Sequence, residues 1–300
     1  MRTRRKGGLR LAGPAAALAL LSGPALADCA TLDADIRGAL GAGDTARYET
    51  LYAATLPAGC DPAWRAGVGR MMARSVLTTL AVDAGPDAFA AATRFGRPWQ
   101  VLVALGDALY ERRDFAKAVP VYEEALDDMR DTAANPKPPP EEVERRVWKR
   151  AVEARALAPS FVATRSVRGE KSGLASPVFR TFTAEAVPVP VRFEYDSDRL
   201  TPEGQAAVAD IYGYLAAAAP GHIVIVGHTD PQGSDAYNAD LSLRRANRVA
   251  GALADLGYAG VIETVGLGES TPFAPDDPSK YSTEELYAFD RRVEYRLPAE

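Results

Sequence analysis

The sequence is poor in the residues that most metal and redox chemistry needs, with 2 histidines and 2 cysteines in 300 residues. No pair of histidines has ligand spacing, and Cys29 and Cys60 form no C-x-x-C pair, so neither a metal centre nor a dithiol site is expected. Beyond the first residues no apolar run approaches the ~20 residues of a membrane-spanning helix, nor does a series of alternating segments describe an outer-membrane barrel. Positive charge is also in deficit. The formal net charge is −5, which argues against nucleic acid as a partner. Ser234 and Ser242 lie near His228 and Asp230 in sequence, yet neither sits in a nucleophile-elbow pattern, and Ser242 falls on the core side of a helix. A catalytic residue or a cofactor is therefore not expected.

What the chain does contain begins with a basic start and an apolar core. Arg2, Arg4, Arg5, Lys6 and Arg10 come before or at the edge of the apolar stretch from Leu11 to Leu21, and Ala25-Leu26-Ala27 supplies a small-residue cleavage site. This is the pattern of a secretory signal peptide over residues 1–27. Cleavage after Ala27 deletes five positive charges and no acid, taking the formal charge from −5 to −10. Asp28 occupies the place where a lipobox needs a small residue, so a lipid anchor on Cys29 is not expected. Export predicts a periplasmic protein, held to the envelope by what it binds, in a compartment oxidising enough for Cys29 to pair with Cys60.

Residues 28–162 are alanine-rich with helical periodicity and predict an all-helical domain. Within it, residues 103–126 resemble a tetratricopeptide repeat. Leu105-Gly106 stands at the close contact of the first helix, Phe115 at the turn, and Ala118, Tyr122 and Ala125 on the packing face of the second. The Trp near the start and the closing Pro of that repeat are replaced by Leu102 and Arg130. The resemblance implies a surface for an envelope protein partner. A charge-dense helix follows Pro140, with Glu142, Glu144, Arg145, Arg146, Lys149 and Arg150 predicted to form a solvated face of i,i+4 pairs. Residues 163–186 turn polar and Gly/Ser-rich, as a linker would.

Residues 187–300 carry the order β-α-β-α-β-(α)-β, so the whole chain is predicted to be α+β. Val187-Pro-Val-Pro-Val191 is an edge-type strand, Thr201-Pro-Glu a capped helix start, and His222 to Gly227 a buried strand. In the helix after Gly233, Ala246, Val249 and Leu253 define the core stripe. Asn238, Leu241 and Arg245 form a second row beside it, aiming a guanidinium at the rim of the loop that holds Asp230. A carboxylate and a guanidinium facing one crevice suit a ligand carrying both charges, such as the end group of an amino acid.

The stretch Gly227-His-Thr-Asp230 followed by Asn238, Leu241, Ser242, Arg245, Ala246, Val249 and Leu253 resembles the signature of OmpA-like peptidoglycan-binding domains. Gly266-Leu-Gly-Glu-Ser-Thr-Pro272 and Arg291-Arg-Val-Glu294 resemble that family's later motifs. The resemblance implies that Asp230 and Arg245 bind the free amino-acid end of meso-diaminopimelate in cell-wall peptide stems, with Asn238, Leu241, Thr229, Glu194 and Arg292 around it. Three departures stand out: Glu194 in place of the first Asp of an F-D-F-D motif, Asp290 in place of an Asn, and a longer segment from Phe273 to Phe289. Two functions follow as expectations. One is non-covalent, non-catalytic binding of peptidoglycan; the other is envelope assembly or scaffolding carried mainly by the helical domain, with the second domain only localising it.

Overall fold

A computed structural model describes residues 28–164, 166–167, 170–171 and 173–298. The expected signal peptide, residues 1–27, lies outside the described residues. The fold is α+β, with a helical half followed by a half built on a mixed sheet.

The helical half comprises α1 (Cys29–Ala42), α2 (Tyr48–Ala54), α3 (Pro62–Thr79), α4 (Pro86–Ala92), α5 (Trp99–Glu111), α6 (Phe115–Arg130) and α7 (Glu141–Leu157). Local chemistry starts several of these helices. The Asp28 carboxylate accepts from the Thr31 amide at 2.7 Å, and Asp61, followed by Pro62, accepts from the Trp64 amide at 2.8 Å, satisfying amides that have no partner within the helix. Cys29 and Cys60 are joined in a disulfide with their Cα atoms 5.6 Å apart, tying the start of α1 to the start of α3. Around that tie Leu32, Ile36, Tyr48, Met72, Phe95 and Val101 make one core.

A second core joins α5, α6 and α7. At Gly106 a Cβ would stand 2.6 Å from the Tyr122 ring, so only glycine lets that ring lie against α5. Phe115 is buried against Tyr110, ring centres 5.3 Å apart. The charged face of α7 departs from expectation. Arg145 and Glu141 do form an i,i+4 pair at 2.7 Å, but Arg146 and Arg150 both reach Asp107 on α5 at 2.9 Å, and Glu144 is fully buried. The Glu144 carboxylate accepts from the Thr181 amide and hydroxyl at 3.1 and 2.6 Å. Residues of that charge density were expected in water; here Glu144, Arg146 and Arg150 have partners within the fold, while Glu142 and Arg145 stay exposed.

Phe179 and Phe182 stack with ring centres 4.5 Å apart, both edge-on to Trp148 of α7, and Leu174 joins the same core. The stretch with linker-like composition is thus packed against the helices wherever it is described. Two short strands within the same stretch, β1 (Ser166–Val167) and β2 (Glu170–Lys171), form one antiparallel pair.

The second half contains β3 (Val187–Val189), α8 (Pro202–Ala218), β4 (His222–Gly227), α9 (Asp235–Asp255), β5 (Val261–Gly266), α10 (Thr283–Asp290) and β6 (Val293–Arg296). The strand order is β3-β6-β4-β5, with β4 and β5 parallel and β6 antiparallel to both its neighbours. The parallel pair needs a crossover, and α9 provides it. Ile223, Ile225, Val293 and Tyr295 bury one face of the sheet against Ala207, Ile211 and Leu215 of α8 and Ala246, Val249 and Leu253 of α9. The opposite face carries Glu294, which lies between Arg292 and Arg296.

The two halves meet along α7. Arg155 and Asp210 form a side-chain pair exposed by only 2% and 3%, and Thr164 donates its amide to Asp210 at 3.0 Å. From the segment before α10, Phe273 and Tyr281 pack on the helical core. Glu153 accepts from the Tyr110 hydroxyl at 2.6 Å and the Tyr281 hydroxyl at 3.0 Å, and Lys149 meets Asp276 at 2.5 Å.

Candidate ligand-binding groove

The loop after β4 is held by backbone contacts before any side chain acts. The Gly227 position lies so close to α9 that a Cβ would sit 2.1 Å from the Ser242 carbonyl oxygen. Beyond it, the His228 amide donates to the Arg292 carbonyl and the Thr229 amide to the Gly268 carbonyl, each at 3.0 Å, while the Ser242 hydroxyl accepts from the Gly268 amide at 2.9 Å. Ser234 caps α9 by accepting from the Tyr237 amide at 3.3 Å. These restraints fix both the loop carrying Asp230 and the first turns of α9.

Between them opens a groove of about 500 Å³, walled by the loop from Phe193 to Asp196, the loop from Thr229 to Gln232, one side of α9, and Arg291 with Glu284. Thr229 and Asn238 are its buried parts. Asn238 donates to the Asp230 carbonyl at 3.3 Å and to the Glu269 carboxylate, pinning the loop from below. Asp230 Oδ1 accepts from the Gln232 amide at 3.1 Å, and Oδ2 from Arg291 Nη1 at 2.8 Å. Arg245 donates Nε to the Ser197 carbonyl at 3.0 Å and lays its guanidinium over the Phe193 ring, 5.0 Å from its centre. No partner for its Nη groups is found among the described residues.

Charge in the groove follows from this geometry. Burial lowers the Arg245 pKa, and the nearby positive charges of Arg244 and Arg291 act in the same direction, against the attraction of Asp230. Burial acts against the charged form of Arg291 too, but its hydrogen bonds to Asp230 and Glu284 outweigh that and raise its pKa. Asp230 and Arg245 therefore face one space without being paired to each other. An ammonium can approach the carboxylate while a carboxylate occupies the free Nη edge of the guanidinium.

Of the residues expected around the ligand, Asp230, Arg245, Asn238, Leu241, Thr229 and Glu194 all line the groove. Glu194 is half-exposed at the mouth, 3.4 Å from Arg199. Arg292 does not line it. It is buried, donating Nε to Glu294 at 2.9 Å and Nη2 to the Thr271 carbonyl at 3.2 Å. Its neighbour Arg291 reaches the groove instead, because successive side chains at the entry to a strand point to opposite sides. Tyr237 and Gln232 are further lining residues that the motif spacing did not single out. Among the described residues no group of three His, Cys, Asp or Glu could hold a metal ion, and no helix is long and apolar enough to cross a membrane.

The OmpA family profile matches residues 192–283, which carry nearly all of this groove. Residues 192–283 belong to the OmpA family. The chain is 39% identical over 114 residues to outer membrane protein A of Escherichia fergusonii, covering 36% of this chain and 47% of that protein. It is 36% identical over 115 residues to outer membrane porin F of Pseudomonas fluorescens, covering 38% and 34%. The chain thus spans less than half the length of these curated relatives. Among solved structures, the peptidoglycan-associated lipoprotein from Burkholderia pseudomallei is 32% identical, covering 36% of this chain and 87% of that one, with a TM-score of 0.31. The family profile match does not extend into the helical half.

Proposed function

We propose that the protein binds peptidoglycan non-covalently and without catalysis, seating the free amino-acid end of diaminopimelate in the groove between Asp230 and Arg245. One observation carries this reading: a carboxylate and a guanidinium with free donors share a groove of about 500 Å³ and are not paired with each other. The names of the relatives, an outer membrane protein and a peptidoglycan-associated lipoprotein, support an envelope setting. In this reading the leader at residues 1–27 exports the chain, the periplasm is its compartment, and the groove attaches it to the wall. Arg291 acts as a counter-ion that keeps Asp230 in place until an ammonium joins it. The helical half, with its tetratricopeptide-like hairpin of α5 and α6, is proposed to contact a second envelope protein.

Retention on purified sacculi tests the site. Arg245→Ala should weaken binding by about 2 to 5 kcal/mol, since it removes one partner of a partly desolvated charge pair. Asp230→Ala should do the same, whereas Arg248→Ala, on the exposed side of α9, should bind as the wild type does. Equal retention of the wild type and Arg245→Ala would sink the assignment.

A further inference from the structure

Beside the groove lies a second chamber, lined partly by residues 192–283 and partly by residues outside that range. It has a volume of about 340 Å³ and shares Phe193, Arg245 and Arg291 with the groove, so the Arg245 guanidinium forms the partition between the two. Its far wall includes Ala156, near the end of α7 in the helical half, outside residues 192–283. The helical half thus contributes one wall of the chamber, and the sheet-containing half supplies the rest.

The charge of its lining is one-sided. Arg192, Arg245, Arg291 and Arg292 line it together with His228, and Glu203 is the single acid among the lining residues. Arg192 is fixed by donating to the Ala158 and Pro159 carbonyls at 2.8 and 3.1 Å, at the frayed end of α7. In the floor, Arg292 and His228 are both more than nine-tenths buried. Arg292 Nη1 and both ring nitrogens of His228 lack a hydrogen-bond partner, although Glu294 lies 3.5 Å from His228 Nε2. Acids outside the lining answer part of this charge: Asp290 lies 3.9 Å from Arg292 Nη1, Glu294 is shared between Arg292 and Arg296, and Arg291 is held by Asp230 and Glu284. That leaves Arg192 and Arg245 as the lining guanidinium groups without an acidic partner among the described residues. A cleft walled by one sign of charge with low-dielectric surroundings concentrates its field on whatever enters it.

We propose that this chamber is an anion subsite that takes a second carboxylate of the same ligand whose amino-acid end fills the groove. The inference rests on the reading of the groove given above. Diaminopimelate has an amino-acid group at each end of a short methylene spacer. With one end between Asp230 and Arg245, the spacer passes the partition beside Phe193, and the other carboxylate enters the field of Arg192 and Arg291. The ammonium of the second end is unwelcome among guanidinium groups, so the subsite favours a ligand whose second amine is acylated, as in a peptide stem. Arg245 then donates to both carboxylates, which offsets the repulsion it feels from Arg244 and Arg291.

Calorimetric titration of the full chain with two probes tests this. Both are diaminopimelate acylated on one amine, and they differ only in whether the carboxyl at that acylated end is free or amidated. The wild type should bind the free acid about tenfold more tightly than the amide. Arg192→Gln should erase most of that preference while leaving the affinity for the amide unchanged. Because Arg192 also braces the end of α7, a second variant is needed: Glu203→Gln, which removes the one lining acid, should widen the preference. If the wild type binds acid and amide equally, or if Arg192→Gln weakens both alike, the subsite is wrong and the groove stands. If the wild type binds neither probe, the reading of the groove itself fails.

Discussion

Arg291 shows how much of the site depends on single positions. Two adjacent arginines stand at the entry to β6, and one holds Asp230 while the other is sealed beneath the sheet with Glu294. The acid–base pair of the groove, Asp230 and Arg245, was legible from helical spacing and from the motif, because a helix fixes which residues share a side. Which of two neighbouring arginines reaches the groove was not legible, since it depends on where the turn after α10 ends. Gly227 is a sharper case of position-dependence. With a Cβ 2.1 Å from the Ser242 carbonyl, Gly227→Ala must push α9 off β4. The expected loss is at least about 1 to 3 kcal/mol, the usual range for overpacking, read as a lowered urea midpoint. Retention on sacculi should fall with it, because Asp230 and Arg245 sit on the two elements being separated.

Among the elements, strands and helices of the sheet-containing half fall where the period of their apolar residues placed them, and the strand order follows from one crossover and two antiparallel pairings. The helical half was less legible. Its helices could be recognised, but the partners of a charged helix such as α7 are set by tertiary contacts that no local pattern encodes. Asp107 draws in Arg146 and Arg150, and Glu144 is used by the backbone of a segment far along the chain. The segment with linker-like composition hid its role for the same reason: Leu174, Phe179, Phe182 and Ala184 pack into the helical core, and polar residues lie among them. The disulfide allows an element-level prediction. It closes a sequence separation of 31 residues in a core separate from that of the groove. Reduction should lower the stability of the helices around it by about 3 to 4 kcal/mol on the chain-entropy model, seen as a lower denaturation midpoint with reductant. Binding of sacculi at low denaturant should be unaffected.

At the scale of the whole molecule the decisive contact is the Arg155–Asp210 pair, closed off from water at the junction of α7 and α8. Breaking one side of such a pair leaves a buried charge unanswered, so Arg155→Met should cost about 3 to 5 kcal/mol. Replacing both, Arg155→Met with Asp210→Leu, should recover a large part of that loss. Equilibrium unfolding followed by tryptophan fluorescence suits this test, because Trp64, Trp99 and Trp148 all lie in the helical half. A single transition that the single variant splits in two would mark the pair as the link between the halves. The junction also bears on mechanics. The ion pair between Asp210 of α8 and Arg155, and the Tyr281 hydroxyl on Glu153, join the sheet-containing half to α7 at two separate places. A force that displaces one half from the other must break both. If the groove holds the wall as proposed, that load passes into the helical half through a braced junction, where a flexible tether would absorb it.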